Sequence, residues 1–277
     1  MILINGESKE HIEVSDRGLQ YGDGLFETIA VKSGQAQFLN RHLQRLNAGC
    51  SRLLISPPDN KLLKNEVASL ANQADRAVVK IIVTRGAGGR GYRQPDVVKP
   101  TRIVSLHPYP DYPNSYQQQG IRVRFCATRL GLNPTLAGIK HLNRLEQVLA
   151  RSEWHDPTIQ EGIMFDSDGY VVEGTMTNLF FVKNEVLYTA SLEKAGVAGI
   201  IRSVVMEQAA LHGMKIFEGR VSRDDLLSAD ELFVCNSVIG IWPVRQIEHQ
   251  QFLVGPLTRQ FQHWLEHFED KGVQNEQ

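Results

Sequence analysis

One stretch decides the interpretation of this 277-residue chain: Gly138-Ile139-Lys140-His141-Leu142-Asn143-Arg144-Leu145-Glu146-Gln147-Val148-Leu149. Apolar residues follow its lysine at steps of three and four, which predicts a helix that begins directly after Lys140 and ends near Trp154. The buried face of this helix would contain Leu142, Leu145, Val148 and Leu149. A lysine held at the entry of a packed helix can lose solvation and act as an amine nucleophile. A solvated lysine at a helix start is roughly ten times more common, so other stretches decide between the two interpretations.

The composition is that of a globular protein without an obvious macromolecular ligand. Hydrophobic residues make up 42% and charged residues 22%, and the formal net charge of -1 gives no overall attraction to nucleic acid or membrane. The cysteines Cys50, Cys126 and Cys235 lie far apart, which argues against disulfides and thiolate zinc sites. The histidines show no metal-ligand spacing. No signal peptide or membrane-length apolar run is visible, so a reducing cytoplasm is predicted.

Strand hairpins alternate with helices along the chain, which predicts an α+β fold with mixed or antiparallel sheets and flanking helices in two domains. A stretch rich in proline, asparagine and glutamine predicts the linker between them. The predicted parts are residues 1–110, a linker over 111–120, and residues 121–277, which would carry Lys140 and Glu173. A last amphipathic helix is predicted from Pro256 to about Lys271. We expect a ligand site in the cleft between the domains, where ligands often bind.

Three sequence features could each bind a different charged group of a ligand. Glu173 ends a predicted strand and could pair with a protonated heterocyclic nitrogen, although a surface glutamate is about four times likelier before context. The small residues from Gly196 onward open a helix that runs from Ile200, and free N–H groups at a helix start bind anions. Arg45 on the first helix could bind phosphate in bidentate fashion, although an isolated helix arginine is usually solvated.

A second group of candidates surrounds the glycine-rich segment Arg85 to Tyr92 (RGAGGRGY). Its arginines, with Arg93 and the upstream Lys80, could bind an anionic substrate in a mobile lid. The segment lacks the G-K-[ST] ending of a P-loop, so nucleotide phosphate binding is a poor fit. An ordinary surface hairpin loop is the alternative. Thr28, on the strand after an earlier glycine-rich loop, could donate a proton if its hydroxyl faces a cleft.

Taken together, these residues resemble the fold-type IV pyridoxal-phosphate enzymes, a family of branched-chain and D-amino-acid aminotransferases and aminodeoxychorismate lyases. The resemblance runs from about residue 5 to residue 244. It is carried by Tyr21 to Glu27, His42 to Leu46, Lys140, Glu173 with Asn178, and Gly199 to Arg202. The stretch from Leu136 to Gln147 is similar to the lysine motif of the lyases, and the RGAGGRGY segment resembles their loop.

The resemblance implies a role for each residue. Lys140 would bind pyridoxal 5'-phosphate covalently and later move protons, and Glu173 would keep the pyridine nitrogen protonated. The phosphate would be held by Arg45, the N–H groups of Ile200 and Ile201, and Ser237. Thr28 and Lys80 match positions that face the substrate in the lyases. A homodimer is also implied.

The implied reaction belongs to folate biosynthesis and converts 4-amino-4-deoxychorismate to 4-aminobenzoate and pyruvate. Lys140 would remove the C4 proton and Thr28 would protonate the leaving enolpyruvyl group. The substrate has two carboxylates, for which the candidate cations are Lys80, Arg85, Arg90, Arg93 and Arg144. Asn143-Arg144 replaces a tyrosine of the branched-chain aminotransferases, so Arg144 is also a candidate partner of the cofactor's phenolate oxygen.

Two alternatives use the same cofactor residues. A D-amino-acid or branched-chain aminotransferase would share Lys140 and Glu173, and only Thr28, Lys80 and the RGAGGRGY segment favour the lyase. A non-catalytic cofactor-binding protein would give no turnover and would leave the extra cations without a purpose.

Overall fold

A computed structural model describes residues 1–268, so the predicted end of the last helix near Lys271 lies outside the described residues. These residues divide into two compact units. The first contains Met1–Pro110 together with Ile139–Asn143, and the second contains Asp111–Gly138 and the residues from Arg144 onward. Lys140 thus belongs to the first unit, whereas the sequence predicts it in the C-terminal domain.

The first unit is built on one antiparallel sheet with the strand order β2-β1-β6-β5-β3-β4. Its elements are β1 (Ile2–Ile4), β2 (Glu7–Ser8), α1 (Arg17–Tyr21), β3 (Gly24–Lys32), β4 (Gln35–Ala36), α2 (Leu39–Arg52), α3 (Asn60–Ala71), β5 (Arg76–Thr84) and β6 (Thr101–Pro108).

The two faces of this sheet differ because side chains alternate along each strand. The apolar residues Leu43, Leu46 and Cys50 on one face of α2 are fully buried. They join a core with alternate residues of β3 and β5 and with the inner face of α3. The opposite face of the sheet carries the half-buried Phe26 and Lys80. One face of the sheet is therefore core, and the other remains partly exposed within the unit.

The second unit holds a mixed sheet with the order β12-β11-β10-β13-β14-β7-β8-β9, in which β15 also pairs with β14. Its elements are α4 (Ser115–Gln119), β7 (Ile121–Leu130), α5 (Leu145–Arg151), β8 (Glu161–Asp166), β9 (Val171–Gly174), β10 (Asn178–Lys183), β11 (Val186–Ala190), α6 (Ile200–Leu211), β12 (Ile216–Gly219), α7 (Arg223–Leu227), β13 (Glu231–Asn236), β14 (Gly240–Ile247), β15 (Gln250–Gln251) and α8 (Pro256–Glu266). The pairs β11–β12, β14–β7 and β7–β8 are parallel. The predicted α+β class with antiparallel and mixed sheets is confirmed.

The segment predicted as a linker is packed structure in the second unit. Residues 115–119 form α4, and Tyr112 and Tyr116 meet the ring of Trp242 edge-on at 4.9 and 5.2 Å between centroids. Arg259 also donates to the backbone oxygens of Gln117 and Gln118. Aromatic contacts and hydrogen bonds to backbone oxygens thus hold in place the stretch whose composition predicted a linker.

The helix predicted directly after Lys140 begins only at Leu145. The backbone before it is extended, because residues 140–142 pair with the start of β3. The predicted buried face is also wrong, since the side chains of Leu145, Val148 and Leu149 are 76%, 61% and 59% exposed. It is Ala150 that packs inward with residues of β7 and β8. Among residues 1–268, no helix has the length and apolar character needed to span a membrane.

Candidate active site

Backbone pairing places Lys140 at the start of β3. The N–H of Phe26 donates to the Lys140 oxygen at 3.0 Å, and the N–H of Leu142 donates to the Gly24 oxygen at 3.0 Å. The side chain of Lys140 folds over Phe26, with Nζ 4.2 Å from the ring centroid. The position of the amine is therefore set by main-chain hydrogen bonds and one aromatic ring.

The partly exposed sheet face brings Thr28 and Lys80 beside this lysine. The two residues lie directly opposite each other on β3 and β5, and Phe26 is two residues before Thr28 on the same face. The Nζ atom of Lys80 lies 5.4 Å from the centroid of the Phe26 ring that Lys140 also contacts. Within residues 1–268, Lys80 forms no salt bridge, so its charge is available to an anionic ligand.

The core face of the same strand carries a buried charged cluster of Glu27, His42 and Arg45. Nδ1 of His42 lies 2.6 Å from one carboxylate oxygen of Glu27, and Nε of Arg45 donates to the other at 2.8 Å. Nη2 of Arg45 makes a further contact with the carboxylate. Burial by itself would raise the pKa of Glu27, but the charge of Arg45 and the hydrogen bond with His42 lower it to about 2. Arg45 is thus held by a fully ionised partner.

His42 is the neutral member of this cluster. Burial lowers its pKa in spite of the hydrogen bond with Glu27, and the charges of Arg45 and Lys140 lower it further. Because Glu27 is ionised, Nδ1 of the neutral ring carries the proton that it donates to the carboxylate. Nε2 is then a buried acceptor, for which residues 1–268 provide no hydrogen-bond donor.

Glu27 and His42 had no predicted role, although the sequence contains a pattern that indicates a buried ion pair at Glu27. Glu27 alternates with Leu25, Ile29 and Val31, so it stands on the apolar face of a strand. A charged residue in that register is almost never buried unless it is paired. The register therefore predicts a buried partner on the helix that packs against the strand.

In the second unit, Glu173 is a buried carboxylate oriented by two N–H donors. It lies in β9 and is 4% exposed. The backbone N–H of Val197 donates to its Oε2 at 2.8 Å, and the Asn178 amide approaches the same oxygen at 3.4 Å. The Asn178 amide also donates to the Val197 oxygen at 2.9 Å. Asn178, which had no assigned role, thus links the carboxylate to the loop that leads into α6.

The start of α6 has the features of an anion-binding site. Gly199 precedes the helix and, within the described chain, no side chain caps it, so the N–H groups of Ile200 and Ile201 have no intrahelical partner. A Cβ atom at Gly199 would lie 1.9 Å from Oδ1 of Asn178, so glycine is required there. Ser237 belongs to the same unit, in the turn between β13 and β14. These groups are the ones for which the sequence predicts phosphate binding.

Glu161 is a second buried carboxylate that sequence reasoning missed. It accepts hydrogen bonds from the backbone and hydroxyl groups of the turn at residues 175–177, with distances from 2.5 to 3.2 Å. Burial raises its pKa in spite of these donors. This turn joins β9, which carries Glu173, to β10, which begins with Asn178. Glu161 therefore stabilises the segment that positions both residues.

The structure contradicts the predicted substrate role of Arg85. Its side chain is 4% exposed, and its Nε and Nη2 donate to Asp23 at 2.7 and 3.0 Å. The same guanidinium also donates to the backbone oxygens of Leu53 and Leu54, each at 2.7 Å. Its donors are used inside the first unit, because a buried arginine needs both a counter-ion and acceptors.

The other predicted cations lie in different surroundings. Arg90 is exposed in the glycine-rich loop, and Arg93 is a surface residue paired with Asp96. Arg144 is half-buried in the second unit at the residue before α5. The first unit thus brings Lys140, Thr28 and Lys80 together on one face of its sheet and holds Arg45 on the other face. The second unit holds Glu173, Ile200, Ile201, Ser237 and Arg144.

The substitution Glu27→Gln tests the buried cluster through its pH dependence. Because the folded pKa of Glu27 is depressed from 4.5 to about 2, its charge contributes stability above pH 4.5 that is lost as the pH falls toward 2. We expect a loss of about 3 kcal/mol in the free energy of unfolding at neutral pH, since Arg45 loses its buried partner. Urea unfolding from neutral pH down to about pH 3 measures the difference.

The difference between the wild type and Glu27→Gln shrinks below pH 4.5 if the ionised cluster is its source. The exposed Glu193→Gln serves as the matched control and changes the stability by less than about 0.5 kcal/mol. A pH-independent difference would contradict the ionised cluster.

Replacing Arg85 by methionine tests the structural assignment of this arginine. We expect Arg85→Met to lower the free energy of unfolding by about 3 kcal/mol, because Asp23 loses one of its two buried arginine partners and the oxygens of Leu53 and Leu54 lose their donor. Arg93→Met is the matched control, since the Arg93 side chain is 83% exposed and surface pairs contribute little. Equal stability of the two variants, measured by denaturant unfolding, would return Arg85 to the list of ligand-binding cations.

Comparison with known proteins identifies the family. The family model for amino-transferase class IV matches residues 24–247. An aminodeoxychorismate lyase of Vibrio harveyi is 37% identical over 95% of this chain and 98% of that protein. A putative branched-chain-amino-acid aminotransferase of Methanocaldococcus jannaschii is 33% identical over 89% and 88%. The crystal structure of 4-amino-4-deoxychorismate lyase from Pseudomonas aeruginosa is 46% identical, with a TM-score of 0.93 over 98% of this chain and 100% of that chain. The chain therefore belongs to the aminotransferase class IV family.

Proposed function

We propose that this protein is a lyase that converts 4-amino-4-deoxychorismate to 4-aminobenzoate and pyruvate. The observation that carries the proposal is the sheet face of the first unit, where Thr28 and Lys80 lie opposite each other in the row next to Phe26, and the Phe26 ring contacts both Lys80 and Lys140. This face provides an amine, a hydroxyl and a cation, Lys80, that has no carboxylate partner among residues 1–268. Relatives named as lyases at 37% and 46% identity support the same activity.

The residues of the chain fit pyridoxal 5'-phosphate, the cofactor of this family. The first unit provides a primary amine on Lys140, and the second provides the oriented carboxylate of Glu173. The uncapped start of α6, with glycine required at position 199, suits a phosphate group. When bound, the cofactor supplies an electron sink that stabilises negative charge on the substrate carbon that loses its proton.

Each cofactor-binding residue has a task that follows from its chemistry. Glu173 accepts a hydrogen bond from the pyridine N–H and holds that proton in place, which strengthens the electron sink. The N–H groups of Ile200 and Ile201, with the Ser237 hydroxyl, bind the phosphate oxygens. Arg45 of the first unit is a further phosphate-binding candidate, and Glu27 fixes the plane of its guanidinium.

Lys140 and Thr28 carry the proton transfers. Nζ of Lys140 takes the proton from C4 of the substrate, and Oγ1 of Thr28 protonates the oxygen of the departing enolpyruvyl group. The C–O bond breaks as the ring becomes aromatic, and the released enol becomes pyruvate. Lys80 pairs with one substrate carboxylate, and Arg90 and Arg144 remain candidates for the other.

We also propose a homodimer and a cytoplasmic location. The exposed Leu145, Val148 and Leu149 form an apolar patch on α5, and patches of this kind mark interaction sites. The cytoplasmic location rests on the cysteine pattern of the sequence.

The second candidate is an amino-acid aminotransferase, which is favoured by the 33% identity to a putative branched-chain-amino-acid aminotransferase. It would use the same Lys140 and Glu173. The two candidates differ at Thr28 and Lys80, which suit an elimination from a carboxylated substrate. A cofactor-binding protein without turnover is the alternative from another class.

The decisive measurement follows 4-aminobenzoate and pyruvate after aminodeoxychorismate is added to the holoenzyme. We expect both products from the wild type and neither from Lys140→Ala, because the variant lacks the amine that takes the C4 proton. Borohydride reduction followed by peptide mass spectrometry labels Lys140 only in the wild type. The exposed Lys64→Ala keeps both properties and serves as the control. Exchange of amino acids with 2-oxo acids in the absence of pyruvate formation would establish the aminotransferase instead.

Gly199→Ala tests the cofactor site without reference to turnover. The new Cβ would collide with Asn178, which displaces the amide that orients Glu173 and the loop before α6. We expect the Kd for pyridoxal 5'-phosphate to rise at least about tenfold, equivalent to about 1.4 kcal/mol. Absorbance titration of the cofactor-free protein measures it. Gly89→Ala, which meets no atom within 4 Å, leaves the Kd unchanged, and an unchanged Kd for Gly199→Ala would rule out the proposed phosphate site.

A further inference from the structure

A polar row crosses the partly exposed sheet face of the first unit and extends beyond Lys80 to Ser105. Thr28, Lys80 and Ser105 lie directly opposite one another on β3, β5 and β6. Residues opposite each other on neighbouring strands have Cβ atoms about 4.5–5.5 Å apart. The hydroxyl of Ser105 therefore borders the side chain of Lys80, on the side away from Thr28.

The Ser105 hydroxyl is held by a histidine on its own strand. Its Oγ lies 2.8 Å from Nε2 of His107, which projects from the same face two residues further along β6. Ser105 is 6% exposed, whereas His107 is exposed. When Nε2 carries a proton it donates to Oγ, so the hydroxyl proton of Ser105 is free to donate to an anion.

The residues on both sides of the polar row suit a ligand with a flat apolar ring that carries an acid group at one end. The row beside it contains Phe26, Ile82 and Ile103, which lie opposite one another in the same register. On the other side lie Ala30 and Val78. Apolar side chains of this kind pack against a ring, and a few placed polar groups then fix its orientation.

We propose that Ser105, held by His107, binds the ring carboxylate of the substrate together with Lys80. This proposal rests on the proposed lyase function, because it assigns the recognition of one acid group of that substrate. Ser105 lies two strands from Thr28, about 10 Å away, which suits a group at the end of the ring opposite the reacting carbons. Lys80 supplies the charge, Ser105 a directed O–H donor, and His107 acts as the positioning residue for that donor.

The test compares two ligands that differ only in the acid group, 4-aminobenzoate and 4-aminobenzamide, on the holoenzyme. We expect Ser105→Ala to weaken 4-aminobenzoate binding about tenfold, as the loss of a hydrogen bond to a charged group requires, and to leave 4-aminobenzamide binding unchanged. KM for aminodeoxychorismate rises by a similar factor while kcat stays within about twofold. Ser69→Ala, on the outer side of α3, is the control and changes neither value.

Conservative variants distinguish a role of Ser105 and His107 in carboxylate binding from a role in the stability of the fold. Ser105→Thr keeps the hydroxyl and retains the preference for the acid, and His107→Gln keeps an N–H donor and stays close to the wild type. His107→Phe loses part of the preference. The cofactor absorbance of every variant remains that of the wild type, which shows that the fold and the cofactor site are intact.

Three results would overturn the proposal: equal losses for acid and amide, a change in kcat alone, or unchanged binding in Ser105→Ala. An increase in KM without weaker 4-aminobenzoate binding would also overturn it, since the carboxylate recognised would then be the enolpyruvyl one. The ligand comparison requires no turnover. Failure of the lyase function, seen as a wild type that releases no pyruvate, is therefore distinguishable from failure of the Ser105 assignment.

Discussion

The candidate active site depends on one set of main-chain hydrogen bonds, those that join residues 140–142 to the start of β3. They place the amine of Lys140 on the Phe26 ring, and thereby on the sheet face that carries Thr28 and Lys80. A lysine on a mobile segment would lose backbone entropy as well as side-chain entropy on each encounter with a ligand. Here the backbone is already ordered, so the amine is presented from a rigid element.

Local patterns predicted the parts of the fold that depend on local physics. The apolar spacing of α2, the glycine that opens α6 and the alternating strands of both sheets were all readable from the sequence. The helix after Lys140 was not, because periodicity cannot show that a distant strand pairs with the same backbone. The apolar spacing of Leu145, Val148 and Leu149 is real, yet it describes an exposed face within the chain.

Charged residues were the least predictable part of the site. The charge of a side chain does not show whether it pairs with another residue of the protein or with a ligand. Arg85 and Arg90 belong to the same glycine-rich segment, but only Arg85 is buried, against Asp23. Glu27 and Glu161 show the reverse case, because neither carboxylate had a predicted role. Glu27 orders Arg45, and Glu161 orders the turn that joins the strands of Glu173 and Asn178. The strand register could have identified Glu27, whereas Glu161 required knowledge of the turn that it binds.

The main-chain attachment of Lys140 also bears on how a family of this kind can diverge. Hydrogen bonds between peptide groups do not depend on side-chain identity, so the residues flanking the lysine are free to change without displacing it. The sheet face beneath the amine can likewise exchange a threonine, a lysine or a serine one at a time, because each projects from its own strand. The position of the reactive lysine and the residues of the recognition surface can thus change independently of each other. One scaffold can therefore support both eliminations and amino transfers.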